Sequence, residues 1–274
     1  MIEPQHALDA RILEYYGTGD EQHRLTGRSA GGMLEHERVR RLVGVRLAPA
    51  SRVLDVGGGT GVHSRWLAAD GHAVTLVDPV PAQVEIASGI EGVTAVVGDA
   101  RSLAAEDGSV DAVLLFGPLY HLDARRDRDL VLAEARRVLR PGGLVMVQAI
   151  NRLAYFVDEA VHGGADALGP HHLDVLRYGQ WHDLSEGFPG GHLHSVAELR
   201  EEVAGAGFAQ IEMHGVEGPN LGALEGVPAD GDVLEAALAL VEACEQALER
   251  AGLDGDLLAG CSPHLMAIAA RPEP

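Results

Sequence analysis

The chain contains no lysine: all 21 of its basic side chains are arginine, set against 41 acidic ones, for a formal charge of −20. Without lysine there is no Schiff-base catalysis, and no P-loop, whose grip on phosphate depends on that residue. The acidic excess opposes binding to nucleic acid, where basic side chains must neutralise phosphates. The densest basic stretch, Arg125, Arg126 and Arg128, is interleaved with Asp123, Asp127 and Asp129, so it forms no basic patch. Cysteine is scarce too. Cys244 and Cys261 form no CxxC pair, which leaves no disulfide or thiolate-metal framework. No apolar run is long enough to span a bilayer. The first residues carry a carboxylate and polar groups rather than a basic, then apolar, leader. The expectation is a cytoplasmic protein with neither a membrane nor a nucleic-acid partner; nothing in the sequence speaks to its oligomeric state.

What is present is ordinary globular composition: 274 residues, 46% hydrophobic and 23% charged, enough for one large α/β domain with an insertion. From about residue 51 to 150, short apolar runs alternate with helical stretches. Arg52–Val56, Ala73–Val77, Val93–Val97, Asp111–Phe116 and Leu144–Gln148 read as five strands. Helices are predicted around His63–Asp70, Pro81–Ser88 and Arg125–Leu139, the last stopped by Pro141-Gly142-Gly143. Continuous apolar strands alternating with helices indicate a buried parallel sheet covered on both faces. Residues 1–47 read as a helical segment broken between Gly17 and Gly32. Residues 151–195, rich in His, Gly and Asp, read as an irregular insertion. Beyond it, Val196–Gly205 and Asp232–Ala251 are predicted helices, and Phe208–His214 and His264–Ala270 strands.

The sharpest feature is Val53-Leu-Asp-Val-Gly-Gly-Gly-Thr-Gly61. Closely spaced glycines between a strand and a helix let backbone approach a ligand and aim helix N–H groups at it. The spacing is Asp55-x-Gly57-x-Gly59-x-Gly61 rather than the G-x-G-x-x-G of a dinucleotide site. Asp78 ends the second strand, 21 residues beyond Gly57, where a carboxylate can accept both ribose hydroxyls. Asp99 follows the third strand and Phe116 ends the fourth. In a parallel sheet these positions share the carboxyl rim where open α/β sheets bind ligands. Singly, each aspartate reads equally as a cap or turn residue. Together they repel a pyrophosphate and suit a cationic nucleoside.

The ordered set resembles the class I S-adenosylmethionine-dependent methyltransferases of the small-molecule type. VLDVGGGTG matches that family's first motif, Leu76-Val-Asp78 its second, Gly98-Asp99-Ala100 its third and Asp111–Phe116 its fourth. Arg137–Gly143 resembles the loop before its fifth strand. The resemblance covers about residues 45–150, with a compatible tail at 196–271. It implies a Rossmann-like, doubly wound, mostly parallel seven-stranded sheet whose last strand, near His264–Ala270, is antiparallel. Residues 48–274 would form this domain, with 151–195 as a lid after strand five and 1–47 closing over the cofactor. By the same resemblance Gly57, Gly59 and Gly61 would cradle the methionine part and Asp55 would orient its amino group. Asp78, with Pro79 beside it, would hold the ribose, Asp99 and Ala100 the adenine, and the Phe116 carbonyl the amino group. Tyr16, with Tyr15 and Arg24, would fold over the cofactor.

The implied reaction is in-line methyl transfer to an O or N nucleophile of a small-molecule metabolite, releasing S-adenosylhomocysteine. Tyr120 and His121, just past strand four, are the candidate catalytic pair, His121 as a base titrating near neutrality; packing and helix capping are the plain alternatives. Tyr120, Tyr155, Tyr178 and Trp181 would wall the acceptor pocket and Arg152 would anchor an acidic group. The lid histidines, His171, His172, His182, His192 and His194, read mostly as solvated. His192-x-His194 lacks an acidic partner at diagnostic spacing, so no metal is expected. Carbon methylation, a nicotinamide-dependent oxidoreductase and a non-catalytic cofactor-binding protein remain as alternatives on the same sheet.

Overall fold

The computed structural model describes residues 5–17, 25, 27, 29–163, 168–181, 189–219, 224 and 226–273. Arg24 and His182, named above, lie outside these. Seven strands form one sheet: β1 (Arg52–Val56), β2 (Ala73–Asp78), β3 (Val93–Val97), β4 (Val110–Leu115), β5 (Leu139–Ile150), and, after the short pair β6 (Gln180–Trp181) and β7 (Gly191–His192), β8 (Ala209–Gly215) and β9 (His264–Ala270). Their spatial order is β3-β2-β1-β4-β5-β9-β8. The first five strands are parallel, and β9 inserts antiparallel between β5 and β8. The Rossmann-like doubly wound sheet with its antiparallel last strand is therefore as expected.

The helices are α1 (Gln5–Gly17), α2 (Ala30–Gly44), α3 (Val62–Ala69), α4 (Pro81–Ala87), α5 (Arg125–Val138), α6 (Arg152–Gly163), α7 (Pro170–Tyr178), α8 (Val196–Gly205), α9 (Gly231–Ala251) and α10 (Asp256–Ala259). Leu132 and Val138 of α5 pack with Leu199 and Val203 of α8 on one sheet face. Val39 and Val43 of α2 pack with Trp66 and Leu67 of α3 on the other. Ala112 to Leu115 of β4 are fully buried, as a strand covered on both sides must be. α9 buries Ala237, Leu238 and Val241. Its partner is α2, whose Leu34 shares a cluster with Ala237 and Leu238. The long helix packs one narrow face on α2 and leaves most of its length at the surface.

Two expectations need correction. Helix α5 ends at Val138, ahead of Pro141-Gly142-Gly143, which lies inside a bulged opening of β5. Gly142 there takes φ +73°, a conformation that leaves the strand running past the irregularity. Residues 151–195 are not irregular throughout: they contain α6, α7 and the β6–β7 pair. The helical period was hard to read because α6 buries so little. Of its apolar residues Ala154 is buried, whereas Leu153 and Val161 are exposed.

The carboxyl ends of β1 and β4, neighbours although β2 and β3 intervene in sequence, mark the topological switch point of the sheet. The candidate site lies there.

Candidate active site

The glycine turn begins where β1 ends. Gly57 and Gly59 take φ +72° and +56°, which L side chains rarely adopt. A Cβ on Gly57 would lie 2.9 Å from Pro118 Cδ, so the turns after β1 and β4 press against each other. Gly61 behaves differently from expectation. It is the left-handed N-cap of α3, and its missing Cβ makes room for Ile90 Cδ1, so it shapes the turn from behind and lines neither cavity described below.

Two chambers that share part of their walls open at this rim. The outer, of about 340 Å³, is lined by Asp78, Pro79, Asp99, Ala100, Arg101 and Leu122, and covered by Asp9, Ile12, Leu13 and Tyr16 of α1. The inner, of about 130 Å³, is lined by Asp55, Gly58, Thr60, His63, Phe116, Glu35 and Gln148. Tyr16, Gly57, Gly59, Gln83 and Tyr120 line both and form the waist between them.

Each rim carboxylate is held in a distinct way. Asp78 accepts the Gly59 N–H on Oδ2 and the Val80 N–H on Oδ1, both at 2.9 Å. That fixes its plane and leaves each oxygen a further lone pair. Burial pushes its pKa upward against these bonds. Asp55 is raised to about 6, chiefly by burial, with the Asp78 charge adding and the Ser64 hydroxyl, at 2.7 Å, opposing. Asp99 is lowered: the Arg101 hydrogen bonds outweigh the burial that alone would raise it. Arg101 also reaches Asp9 of α1 at 3.0 Å, tying the cover to the rim.

Past β4, Pro118–His121 forms a single 3-10 turn. The Tyr120 hydroxyl donates to the Phe116 carbonyl at 2.9 Å, so that carbonyl offers one remaining lone pair. Nε2 of His121 lies 2.9 Å from the Tyr16 hydroxyl, and burial holds the imidazole near pKa 4, against the Gly190 backbone hydrogen bond. The side chain is therefore neutral at pH 7. The structure brings together Tyr16, Asp55, Gly57, Gly59, Asp78, Pro79, Asp99, Ala100, Phe116, Tyr120 and His121 around the two chambers.

The lid residues are placed otherwise. Among the described residues, Arg152, Tyr155, Tyr178 and Trp181 line neither chamber. The Arg152 guanidinium is committed to Glu198 and to the carbonyls of Leu193 and Arg177, so it braces the insertion instead of facing an acceptor. Tyr155 and Trp181 pack against each other at 5.1 Å, and Tyr178 is 61% exposed. Two histidines of the insertion also depart from the solvated reading. His192 and His194 are buried, bonded to Glu198 at 3.0 Å and Glu202 at 3.3 Å. The acidic partners that spacing failed to show thus come from the next helix, one turn apart on α8, and Glu202 is already held by Arg128.

Sequence reasoning missed Glu35, His63, Gln83, Arg101 and Gln148. Only Arg101 stood next to a motif, directly after Gly98-Asp99-Ala100. The others come from helix and strand positions whose spacing looks like ordinary packing.

β7 presses on the turn that follows β4. Gly191 has φ +143°, and a Cβ there would run into the Tyr120 carbonyl oxygen. Gly191→Ala is expected to lower the melting temperature, by an overpacking cost of about 1–3 kcal/mol, and to weaken ligand binding at Tyr120. Unchanged melting and binding would show that β7 does not seat the turn.

Residues 54–147 match the family described as a methyltransferase domain. The chain is 41% identical over 114 residues to a ubiquinone/menaquinone biosynthesis C-methyltransferase of Acidiphilium cryptum, covering 38% of this chain and 44% of that protein. It is 37% identical over 118 residues to a ubiquinone biosynthesis O-methyltransferase of Xanthomonas axonopodis, covering 40% and 48%. The chain therefore spans less than half the length of these curated relatives. Among solved structures, a possible histamine N-methyltransferase of Thermotoga maritima superposes with a TM-score of 0.61 at 17% identity, covering 96% and 99% of the two chains. A methyltransferase of Archaeoglobus fulgidus gives 0.58 at 18% identity, covering 93% and 99%. Residues 54–147 thus match a methyltransferase domain, and the whole chain has the fold of solved S-adenosylmethionine-dependent methyltransferases. S-adenosylmethionine is the cofactor of that class, and the rim fits it: three carboxylates, a glycine cradle and no lysine suit a cationic nucleoside better than a pyrophosphate.

Proposed function

We propose that this protein transfers the methyl group of S-adenosylmethionine to an oxygen or nitrogen of a small-molecule metabolite. The observation that carries the reading is Asp78, whose carboxylate is fixed by two backbone N–H groups while it lines the outer chamber. Its free lone pairs suit the two hydroxyls of a ribose. Asp99 and Ala100 on the same wall suit an adenine, Asp99 as acceptor and Ala100 through its backbone. The amino-acid tail would run through the waist along Gly57 and Gly59, towards Asp55 and the Phe116 carbonyl.

When bound, the cofactor supplies an electrophilic methyl on a sulfonium. The protein's part is to hold an acceptor in line with it. Such alignment is worth on the order of 7–11 kcal/mol in favourable systems. Tyr16 and Tyr120 form the waist at which that approach occurs, and α1 shields it from water. A protic acceptor must lose a proton, and the neutral imidazole of His121 is placed to take it once the Tyr16 hydroxyl gives way.

Calorimetric titration with S-adenosylhomocysteine, with NAD beside it, tests the reading. Micromolar binding of the first and none of the second are expected. Asp78→Ala should weaken that binding at least about tenfold, as loss of charge-assisted hydrogen bonds would. Equal affinity in the variant would remove Asp78 from the ribose site, and binding of NAD alone would reverse the choice of cofactor.

A further inference from the structure

With the ribose on Asp78 in the outer chamber and the amino-acid tail running past Gly57 and Gly59, the sulfonium that joins them falls at the waist. Tyr16, Gly57, Gly59, Gln83 and Tyr120 surround it there. A sulfonium carries a full positive charge but no N–H or O–H, so no ordinary hydrogen bond holds it. An oxygen with a lone pair to spare answers it instead, through charge–dipole attraction and contacts to its polarised C–H groups.

Gln83 supplies such an oxygen. It lies in the first turn of α4, is 4% exposed, and lines both chambers. Its Nε2 donates to the Tyr16 carbonyl at 2.7 Å. Only the amide nitrogen can donate to a carbonyl, so this bond fixes which end of the side chain faces where. Oε1 is left towards the glycine turn, 3.7 Å from the Cβ that Gly59 lacks. No described residue donates a hydrogen bond to that oxygen. A buried amide oxygen without a partner is costly, and a cation at the waist relieves the cost.

The other polar groups of the waist are engaged elsewhere. The Gly59 N–H donates to Asp78, the Tyr120 hydroxyl donates to the Phe116 carbonyl, and the Tyr16 hydroxyl meets His121. With Asp78 accepting from both ribose hydroxyls, the ribose has no proton left for Gln83.

We infer that Gln83 is a specificity-determining residue that reads the charge on sulfur, favouring the sulfonium cofactor against its neutral product. The inference rests on the methyl-transfer reading above. S-adenosylmethionine and S-adenosylhomocysteine share adenine, ribose, ammonium and carboxylate, and differ only in the methyl group and the charge at sulfur. Gln83 faces that difference with its oxygen, while its N–H end anchors α1 through Tyr16.

The test is calorimetric titration of both ligands, without any acceptor, into wild type, Gln83→Met and Gln83→Glu. The measure is the ratio of the two affinities, in which a loss of α1 anchoring cancels. Gln83→Met keeps the length of the side chain and removes both its oxygen and its N–H. It should lower the preference for the sulfonium about three- to tenfold, the size of one or two C–H···O contacts. Gln83→Glu keeps an oxygen at this place but cannot donate to Tyr16, so both affinities should fall while the ratio holds or rises. Binding of S-adenosylhomocysteine also reports that a variant is folded. If Gln83→Met does not fold, Gln83→Glu decides by itself: a ratio that holds or rises supports the inference, and one that falls overturns it. A ratio that stays within about 1.5-fold in Gln83→Met, or rises, would overturn the inference and leave Gln83 as an anchor for α1 alone. Equal falls in both variants would overturn it too, because the anchor and not the oxygen would then set the preference. A wild type that binds neither ligand would instead remove the methyl-transfer reading itself.

Discussion

Arg128→Met is expected to destabilise the protein by about 3–5 kcal/mol, because the buried Glu202 would lose its bidentate guanidinium and keep only Arg125 at 3.6 Å and His194 at 3.3 Å. Both side chains are inaccessible: Arg128 is 2% exposed and Glu202 is fully buried. The guanidinium donates to both carboxylate oxygens, at 2.8 to 3.1 Å, and to the carbonyls of Leu122 and Asp123 just past the Pro118–His121 turn. At a few degrees per kcal/mol, the melting temperature should fall by roughly 10 °C. Pairing Arg128→Met with Glu202→Met should recover part of the loss, since no lone charge remains, but not the two carbonyl bonds. A fall of less than about 2 °C in the single variant would refute the account.

The same cluster makes stability depend on pH. Glu198 and Glu202 are each lowered to about 2: burial would raise them, but the histidine hydrogen bonds and the neighbouring arginines outweigh it. His192 is lowered to about 4 and His194 is lowered too, in both cases chiefly by burial. All four groups bind protons more readily in the unfolded chain, so stability is lost as pH falls. For the histidines the loss starts near pH 6.5 and for His192 runs to about 4; for the glutamates it runs from about 4.5 to 2.

Much of this molecule is legible in its sequence, for identifiable reasons. The central strands β1, β2, β4 and β9 are mostly buried, so they read as apolar runs, whereas β3 and β8 at the sheet edges are largely exposed. The glycine turn and Asp78 are local, set by a strand, a turn and a fixed number of intervening residues. Glu35, Gln148, His264 and Glu217 gave no such signal. They come from a helix, two strands and a loop, brought together by β9 inserting between β5 and β8. Only the tertiary fold makes neighbours of residues 35 and 264. The lid misled in the other direction: its aromatics and arginine look like ligand contacts, but Arg152 is a structural cation whose carboxylate lies 46 residues away. The His192–Glu198 and His194–Glu202 pairs also escaped a search by spacing, because a strand-to-helix junction brings them together and no regular repeat does.

The His121 side chain carries the last prediction. His121→Ala is expected to cut turnover about 10²–10⁴-fold while S-adenosylhomocysteine binding persists, the range typical of a lost general base. Its imidazole is neutral at working pH because burial lowers it to about 4. A base must be unprotonated to act, so kcat/KM should be level from pH 8 down to about 5 and fall only as pH approaches 4. A histidine at its ordinary value would give half-maximal activity near pH 6.5 instead. Tyr16→Phe separates the two partners. It removes the hydroxyl at 2.9 Å from Nε2, freeing that nitrogen for the acceptor while loosening the hold of α1 on the site. Turnover should then fall less than in His121→Ala, with the larger change in KM. If His121→Ala loses less than about threefold, the imidazole only packs beneath Tyr120, and alignment at the waist is the whole of the protein's contribution.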